Sequence, residues 1–306
     1  MAEATHREIL LVPHLFRASN IHSAARAAEM LQDAGITVRL LEQEQMEAIE
    51  TNPVLCGLTR AVADDDAAAG CELVLVLGGD GTFLRAASYA HAQNIPVLGI
   101  NLGHVGFLAE GEASSLEKVV GQVIDRSYRV VDRMTLDVAV IGDGGEVLGR
   151  SWALNECSIE NSDRSRVLDA TLEVDFRPAS SFGCDGVLIS TPTGSTAYAF
   201  SAGGPIMWPQ LDAILVVPNN AHALFAKPLV VAPTSTVAVE SERQTTQATA
   251  VMDGQRRMTV PAGSRVEVAR GTRPVRWVRL DDRPFTDRLV DKFQLPVSGW
   301  RGPRGA

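Results

Sequence analysis

The segment from Gly78 to Thr82 places one carboxylate, that of Asp80, among glycines between a predicted strand and a predicted helix. Because glycine has no Cβ atom, its backbone N–H groups can approach a ligand closely, and the positive end of the following helix favours anions. A carboxylate repels phosphate oxygens unless it accepts a proton or holds a metal ion. The segment therefore predicts a phosphate site in which Asp80 is the general base of a phosphoryl transfer. The motif alone also allows a tight turn in which Asp80 only caps the helix.

Single residues exclude two other phosphate-binding loops. A Walker A loop ends in lysine followed by serine or threonine, and this chain has lysine only at positions 118, 227 and 292, away from its glycine-rich segments. A dinucleotide-binding fingerprint would need glycine at position 84, which is Leu84. A second glycine-rich segment, Gly99 to Gly106, follows the next predicted strand. Loops after neighbouring parallel strands line one crevice, so this segment predicts another close approach to the ligand, or else a structural turn.

Two polar segments in the second half of the chain could bind a nucleotide. Asn155 and Glu156 are adjacent in a predicted strand, so their side chains point to opposite faces and one of them faces inward or into a cleft. An asparagine can read a hydroxyl group or an adenine edge, although an exposed Asn-Glu pair explains the same sequence. The segment from Asp185 to Pro205 carries many hydroxyl groups and Tyr198. It predicts a ligand rich in ribose and phosphate oxygens, with Tyr198 as a stacking surface for a base.

The elements that carry these segments divide the chain into two predicted domains. Up to about residue 130, buried strands such as Leu73 to Leu77 alternate with helical stretches, which predicts a doubly wound, Rossmann-like α/β domain. Residues 131–283 read mainly as strands separated by Gly and Pro turns, which predicts a mostly-β domain. The amphipathic stretch Phe285 to Phe293 predicts a helix that returns to the first domain. That domain then comprises residues 1–130 and about 284–306.

Two local expectations accompany this division. Ser19 or Asn20 is expected to cap the first helix, because both residue types satisfy the free N–H groups at a helix start. The segment Glu42 to Ala69 lacks clear periodicity and contains an acidic run, so we expect a solvated or mobile connection there.

Composition limits the possible partners. The chain has 306 residues and a net charge of -9, whereas a protein that coats nucleic acid or an anionic membrane usually carries the opposite sign. No apolar run approaches the roughly 20 residues of a membrane span. The four cysteines form no Cys-x-x-Cys pair and have no zinc-ligand spacing with histidine. We therefore expect no nucleic-acid or membrane partner, no protein-held metal site, and a cytoplasmic protein without a signal peptide.

Taken together, these segments resemble the blocks of the NAD kinase family, in the family's order and at similar spacing. The matching segments are Gly78 to Leu84, Gly99 to Glu110, Asn155-Glu156, Asp185 to Ile206 and Asp253 to Gln255. The first block is shared with diacylglycerol, sphingosine and phosphofructokinase-type enzymes, whereas the stretch Thr193 to Pro205 is far more selective. The ending, Phe285 to Gly302, resembles actinobacterial members of the family.

The resemblance implies a phosphotransferase with an alcohol acceptor, which moves a phosphoryl group from ATP, or also inorganic polyphosphate, to the 2′-hydroxyl of the adenosine ribose of NAD. The product is NADP. Asp80 is then the general base, and Mg²⁺ is carried by the nucleotide phosphates rather than by protein ligands. The residues that match the family's binding positions are Gly81, Arg85, Asn155, Glu156, Arg166, Asp185, Thr193, Thr196, Ala197, Tyr198, Ser201 and Gln255.

The resemblance also implies a homodimer or homotetramer, and it leaves several points open. Many members carry a basic residue where this chain has Gly183, which puts one ligand contact in doubt. The donor preference and any preference for NAD over NADH are not fixed by the sequence. Two other functions share part of the pattern: a lipid or sphingoid kinase with the same first block, and a non-catalytic NAD-binding sensor.

Overall fold

The computed structural model describes residues 6–42, 47–103, 106–112, 115–163, 166–223, 226–242 and 247–297. The strands are β1 (Glu8–Pro13), β2 (Thr37–Leu41), β3 (Thr59–Ala61), β4 (Leu73–Leu77), β5 (Val97–Asn101), β6 (Gly111–Glu112), β7 (Arg129–Arg133), β8 (Leu136–Ile141), β9 (Val147–Ala153), β10 (Glu156–Asn161), β11 (Leu168–Val174), β12 (Arg177–Cys184), β13 (Gly186–Ser190), β14 (Ile214–Asn219), β15 (Leu229–Val231), β16 (Val237–Ser241), β17 (Ala248–Met252), β18 (Arg256–Val260), β19 (Arg265–Arg270) and β20 (Val275–Arg279). The helices are α1 (Ala18–Asp33), α2 (Glu47–Glu50), α3 (Pro53–Cys56), α4 (Asp80–Gln93), α5 (Leu116–Ile124), α6 (Tyr198–Ser201) and α7 (Phe285–Phe293).

The chain folds as two compact units, one formed by residues 1–132 and 275–306 and the other by residues 133–274. The first unit is built on a sheet with strand order β3-β2-β1-β4-β5-β20-β7, in which β6 also pairs with β5. The pairs from β3 through β1, β4 and β5 to β20 are parallel. Every residue of β4 is buried, as expected for a central strand covered by helices on both faces.

The strand order of this sheet reverses between β1 and β4. In an open parallel sheet, loops that leave neighbouring strands in opposite directions open a crevice at the carboxyl ends of those strands, and ligands bind there. The Gly78 to Thr82 segment follows β4 directly. The sheet therefore carries this segment to the position where the architecture provides a binding crevice.

The second unit consists of two six-stranded antiparallel sheets, with orders β15-β14-β13-β10-β17-β18 and β12-β11-β16-β19-β8-β9. Alternate residues of both sheets enter one apolar cluster, for example Ile159 and Val187 from the first sheet and Val138 and Val268 from the second. This period-two burial is what a face-to-face sheet packing requires. The parallel α/β architecture followed by a mostly antiparallel β architecture confirms the predicted fold class.

The expected cap of the first helix was wrong. Helix α1 begins at Ala18 after Arg17 and has no side-chain cap, and the Asn20 side chain donates to the carbonyl of His14 instead, at 2.9 Å. The segment after Glu42 contains α2, α3 and β3 within its described residues, and its acidic run, Asp64 to Asp66, is exposed, as expected of a solvated face. Asn52 caps α3 by accepting the N–H groups of Val54 and Leu55 at 3.1 and 3.2 Å.

Candidate active site

Asp80 is the first residue of α4, and its carboxylate reaches across to the loop that follows β5. Oδ2 accepts the N–H of Phe107 at 3.1 Å, and Oδ1 accepts the N–H of Leu108 at 3.2 Å. The cap position of α4 belongs to Gly79, which has an extended backbone. Asp80 is therefore not the helix cap that the motif alone allowed, and its carboxylate instead joins the two glycine-rich segments.

The glycines of these two segments fall into two groups. At Gly78 a Cβ atom would lie 2.8 Å from Thr82 Oγ1, and at Gly106 it would lie 2.8 Å from Asp80 Cγ, so the protein itself requires glycine there. At Gly79 and Gly81 a Cβ atom would meet nothing within 4 Å. The protein's own packing does not require glycine at these two positions, which leaves open space beside their backbone.

A group of basic side chains lies at the same end of the sheet. His14 follows β1 and donates its backbone N–H to Leu77 O at 2.8 Å. Burial lowers the pKa of His14, and the nearby positive charges of Arg85 and Arg17 lower it further. Sequence reasoning missed His14 and Arg17, although the switch-point rule that selected the loop after β4 applies equally to the loop after β1.

In the second unit, Asn155 lies between β9 and β10 in a turn that is held on several sides. Its backbone N–H donates to Asp253 Oδ1 at 2.7 Å, and its carbonyl accepts the N–H of Thr191 at 2.8 Å. Thr191 Oγ1 donates to Leu154 O at 2.6 Å. The Asn155 backbone therefore has little freedom, because strand ends from three parts of the chain fix it.

Asp253 is the centre of this network. Of the segment Asp253 to Gln255, only Gln255 was predicted from the sequence as a binding residue. Besides the N–H of Asn155, the Asp253 carboxylate accepts the N–H of Leu154 at 3.0 Å with both oxygens, and it forms an ion pair with Arg256 at 2.6 Å. The Arg256 guanidinium lies 4.2 Å from the centroid of the Trp152 ring. The match of the segment Asp253 to Gln255 to the family pattern pointed to a role for Asp253, but the sequence did not indicate the partners of its carboxylate.

The side chains of Asn155 and Glu156 are buried, yet each keeps an unused acceptor. Among the described residues, Asn155 Oδ1 and Glu156 Oε2 have no hydrogen-bond partner. Burial raises the pKa of Glu156 to about 8, and the nearby charge of Asp253 adds to the rise. Burial raises the pKa of Asp253 as well, but its ion pair with Arg256 and its backbone donors oppose that rise, so Glu156 is the member of this pair that holds a proton more readily. Buried polar atoms without partners are rare and often mark a ligand site.

The hydroxyl-rich segment packs directly on this turn. After β13 the chain forms a 3₁₀ turn at Thr193–Thr196 and then α6. A Cβ atom at Gly194 would lie 2.6 Å from Asn155 Cα, so the two backbones touch. The backbone N–H of Tyr198 is bonded to the Glu156 carboxyl group. The structure thus brings Asn155, Glu156 and the Thr193 to Tyr198 stretch into one cluster.

The remaining predicted residues lie around this cluster or at the surface of the same unit. Asp185 accepts a bond from Asn220 Nδ2 at 2.7 Å, and the neighbouring Asn219 lies 3.4 Å from the Tyr198 hydroxyl. Ala197 and Thr196 are half-buried, whereas Ser201 and Gln255 are exposed. Arg166 is exposed, and an ion pair of 3.6 Å joins it to Asp163 on its own loop.

Gly183, where many family members carry a basic residue, faces a filled space. A Cβ atom at this position would lie 2.8 Å from Val167 Cγ1 and 3.2 Å from Asp169 Oδ1. A long side chain could stand here only if Val167 moved away.

Comparison with known proteins identifies the family. Models of the ATP-NAD kinase N-terminal domain and the ATP-NAD kinase C-terminal domain match residues 9–128 and 154–280. The chain belongs to the ATP-NAD kinase family. It is 69% identical over 303 residues to the NAD kinase of Corynebacterium efficiens, covering 99% of this chain and 95% of that protein. It is 63% identical over 298 residues to the NAD kinase of Corynebacterium diphtheriae, covering 97% and 94%.

Two solved structures share the fold of this chain. Yeast NADH kinase complexed with NADH superposes with a TM-score of 0.83 at 21% identity, covering 96% of this chain and 89% of that one. An NAD kinase from Archaeoglobus fulgidus in complex with ATP gives 0.70 at 22% identity, covering 95% and 100%. The family makes this chain a phosphotransferase with an alcohol acceptor, an NAD kinase rather than a lipid kinase or a sensor without catalysis.

Two further observations concern metal ions and membranes. Within the part of the chain that the structure describes, His, Cys, Asp and Glu side chains form no group of three that could hold a metal ion. No helix among the described residues has both the length and the apolar character needed to cross a membrane.

Proposed function

We propose that this chain carries out the NAD kinase reaction with Asp80 as the general base and the Asn155–Glu156 turn as an anchor for NAD. The terminal phosphoryl group of ATP is transferred to the 2′-hydroxyl of the adenosine ribose, and the products are NADP and ADP. The observation that carries the proposal is the Asp80 carboxylate, oriented by two backbone N–H groups beside glycine backbone with open space around it.

The first unit is proposed to hold the phosphoryl donor. The open space beside Gly79 and Gly81 lies at the N-terminus of α4, where backbone N–H groups and the helix dipole favour phosphate oxygens. Arg85 and Arg17 add positive charge near His14. These groups offset the negative charge of Asp80, which would otherwise repel the donor.

The second unit is proposed to hold NAD. A neutral Glu156 donates one hydrogen bond and accepts another, as a ribose diol requires, and Asn155 can do the same with its amide. Tyr198 is 39% exposed and offers its ring to a base. We propose that the other contacts to NAD come from Asp185, Thr193, Thr196, Ala197, Ser201, Arg166 and Gln255, and that Gly81 and Arg85 complete the site.

In the proposed chemical step, the oxygen of the 2′-hydroxyl forms a bond to the terminal phosphorus of ATP while the bond from that phosphorus to the ADP oxygen breaks. Asp80 takes the hydroxyl proton late, because phosphoryl transfer passes through a loose transition state. We propose that Mg²⁺ is carried by the ATP phosphates, where it would neutralise their charge.

The exchange Asp80→Asn tests the general base. An asparagine cannot take the proton, and it offers one oxygen where the loop presents two N–H groups. We expect kcat to fall by roughly 10²-fold or more, with the KM for NAD little changed. Steady-state NADP formation measures both constants. A variant with nearly normal kcat would show that Asp80 is not the base.

Two controls define the reaction itself. An analogue, 2′-deoxy-NAD, should bind but receive no phosphate, and a phosphorylated product at another position would contradict the proposed acceptor. NADP formation with ATP and with inorganic polyphosphate, measured side by side, decides the donor. We also propose that the enzyme is cytoplasmic and assembles as a homodimer or homotetramer. Light scattering of the purified protein measures its oligomeric state.

A further inference from the structure

The orientation of Asp80 depends on a loop that an element far along the chain holds in place. The N–H groups of Phe107 and Leu108 bond the two oxygens of the Asp80 carboxylate. These bonds are 3.1 and 3.2 Å long, so a modest shift of the loop would weaken them. Whatever fixes residues 106–110 therefore fixes the carboxylate.

Arg288 of α7 binds this loop through its guanidinium group. Its Nη1 donates to the carbonyls of Ala109 and Phe107 at 3.1 and 3.4 Å, and its Nη2 lies 2.7 Å from Glu110 Oε1. The planar guanidinium has several donors and can bond all of these acceptors at once, whereas a lysine could not reach the same set. The side chain of Arg288 is only 11% exposed, so water offers little competition for these bonds.

Glu110 connects the same loop to β20. Its side chain is 1% exposed and lies 2.9 Å from Arg279 Nε, and Trp277 Nε1 donates to it at 3.2 Å. A buried carboxylate needs such partners to remain charged. Because Arg279 and Trp277 remain when Arg288 is removed, the loss of Arg288 does not leave this charge unpaired.

Aromatic contacts add a second connection between α7 and the loop. The ring of Phe107 lies 6.1 Å from that of Phe285 and 5.7 Å from that of Phe293, at the two ends of α7. These contacts keep α7 on the loop even without the guanidinium. Loss of Arg288 should therefore loosen the loop carbonyls without detaching the helix.

We propose that Arg288 is a positioning residue for catalysis, which orients the Asp80 carboxylate by fixing the carbonyls of Phe107 and Ala109. It contacts neither substrate in this scheme and acts through the loop. The inference depends on the proposed role of Asp80 as general base. A mere stabilising role for α7 is the alternative, and it predicts a loss of stability without a specific loss of kcat.

A double-mutant cycle distinguishes these roles. We expect Arg288→Ala to lower kcat by about tenfold, since small misplacements of a reacting group are costly, while the KM values for NAD and ATP change little. In the Asp80→Asn background the same exchange should cause no further loss of kcat. If the two losses multiply instead, Arg288 does not act through Asp80. If Asp80→Asn alone keeps its kcat, the general-base proposal fails first.

Matched variants keep the test independent of stability. Arg283 precedes α7 and forms ion pairs with Asp287 and Asp291, and its side chain makes no bond to residues 106–110 of the described chain, so Arg283→Ala should leave kcat unchanged. Arg288→Lys keeps the charge and should recover only part of kcat. Amide hydrogen exchange at Phe107 and Leu108 should be faster in Arg288→Ala and normal in Arg283→Ala. Unchanged exchange in a folded Arg288→Ala protein would overturn the proposal.

Discussion

Two aspartates, one in each unit, accept hydrogen bonds from backbone N–H groups, but these bonds serve opposite purposes. Asp80 is half-buried, and the backbone N–H groups of a loop hold its carboxylate in place. Asp253 is 6% exposed, and its carboxylate holds the backbone of Leu154 and Asn155 in place. In the proposed mechanism the first must remain accessible to substrate, so other groups position it. The second is saturated with partners and serves as a fixed part of the framework.

Among these variants, Asp253→Ala should destabilise the second unit most. The exchange would leave the half-buried Arg256 without its carboxylate and the N–H groups of Leu154 and Asn155 without an acceptor. We expect a loss of about 3–5 kcal/mol in the free energy of unfolding, together with loss of NAD binding. Urea unfolding and titration with NAD measure the two effects.

Asp212 is the matched control for this prediction. It lies in the same unit and pairs with Arg270 at 2.9 Å, but its side chain is 56% exposed. Exposed pairs contribute about 0–1 kcal/mol, so Asp212→Ala should leave stability and NAD binding nearly unchanged. Equal losses in both variants would contradict the framework role of Asp253.

Gly106→Ala should affect the other aspartate, with a smaller effect on stability and a large one on kcat. The added methyl group would collide with the Asp80 carboxylate and push it away from the N–H groups of the loop. We expect kcat to fall by roughly 10- to 100-fold while the KM for NAD stays near its normal value. Gly121→Ala, on α5, adds a methyl group that meets nothing within 4 Å and should keep full activity.

Glu156→Gln should show its effect in the pH dependence of stability, with little change at low pH. Burial raises the pKa of Glu156 from 4.5 to about 8, so the folded protein binds a proton that the unfolded chain releases between these values. The stability from this group is complete below pH 4.5 and declines as pH rises towards 8. A glutamine removes the decline. Relative to the parent, the variant should therefore gain stability from pH 5 to pH 8, and parallel unfolding curves would contradict the raised pKa.

The sequence predicted the architecture well, because strand and helix periodicity is local information. The glycines after Leu77 and Asp80 at the start of α4 predicted a phosphate site at a strand end, which stays a prediction, and the family blocks indicated the reaction. The caps were less predictable. Ser19 and Asn20 both looked suitable, yet the Asn20 side chain bonds the β1 loop instead. The signal at Asn52-Pro53, a cap residue followed by proline, was present in a segment that seemed irregular only because its elements are short.

The roles of individual residues at the candidate site remain predictions, and the structure explains why some could not be found by sequence. The partners of Asp80 are backbone N–H groups, which every residue except proline carries and which no motif marks. Arg288 lies on an amphipathic helix whose sequence predicts only packing. His14 follows β1, at the point where the strand order reverses. The sequence alone does not give that strand order, so it could not single out His14.

The position of β20 in the first sheet has a consequence for synthesis of the protein. This strand pairs with β5, but it is made only after the whole of the second unit. A bond of 2.7 Å between Gly271 N and Thr135 O joins the ends of that intervening unit, which keeps the cost of closing so long a loop small. A nascent chain therefore contains Asp80 before the second unit is made, whereas the partners of Glu110 on β20 and α7 are made only after that unit. The loop that bonds the Asp80 carboxylate gains this support late in synthesis.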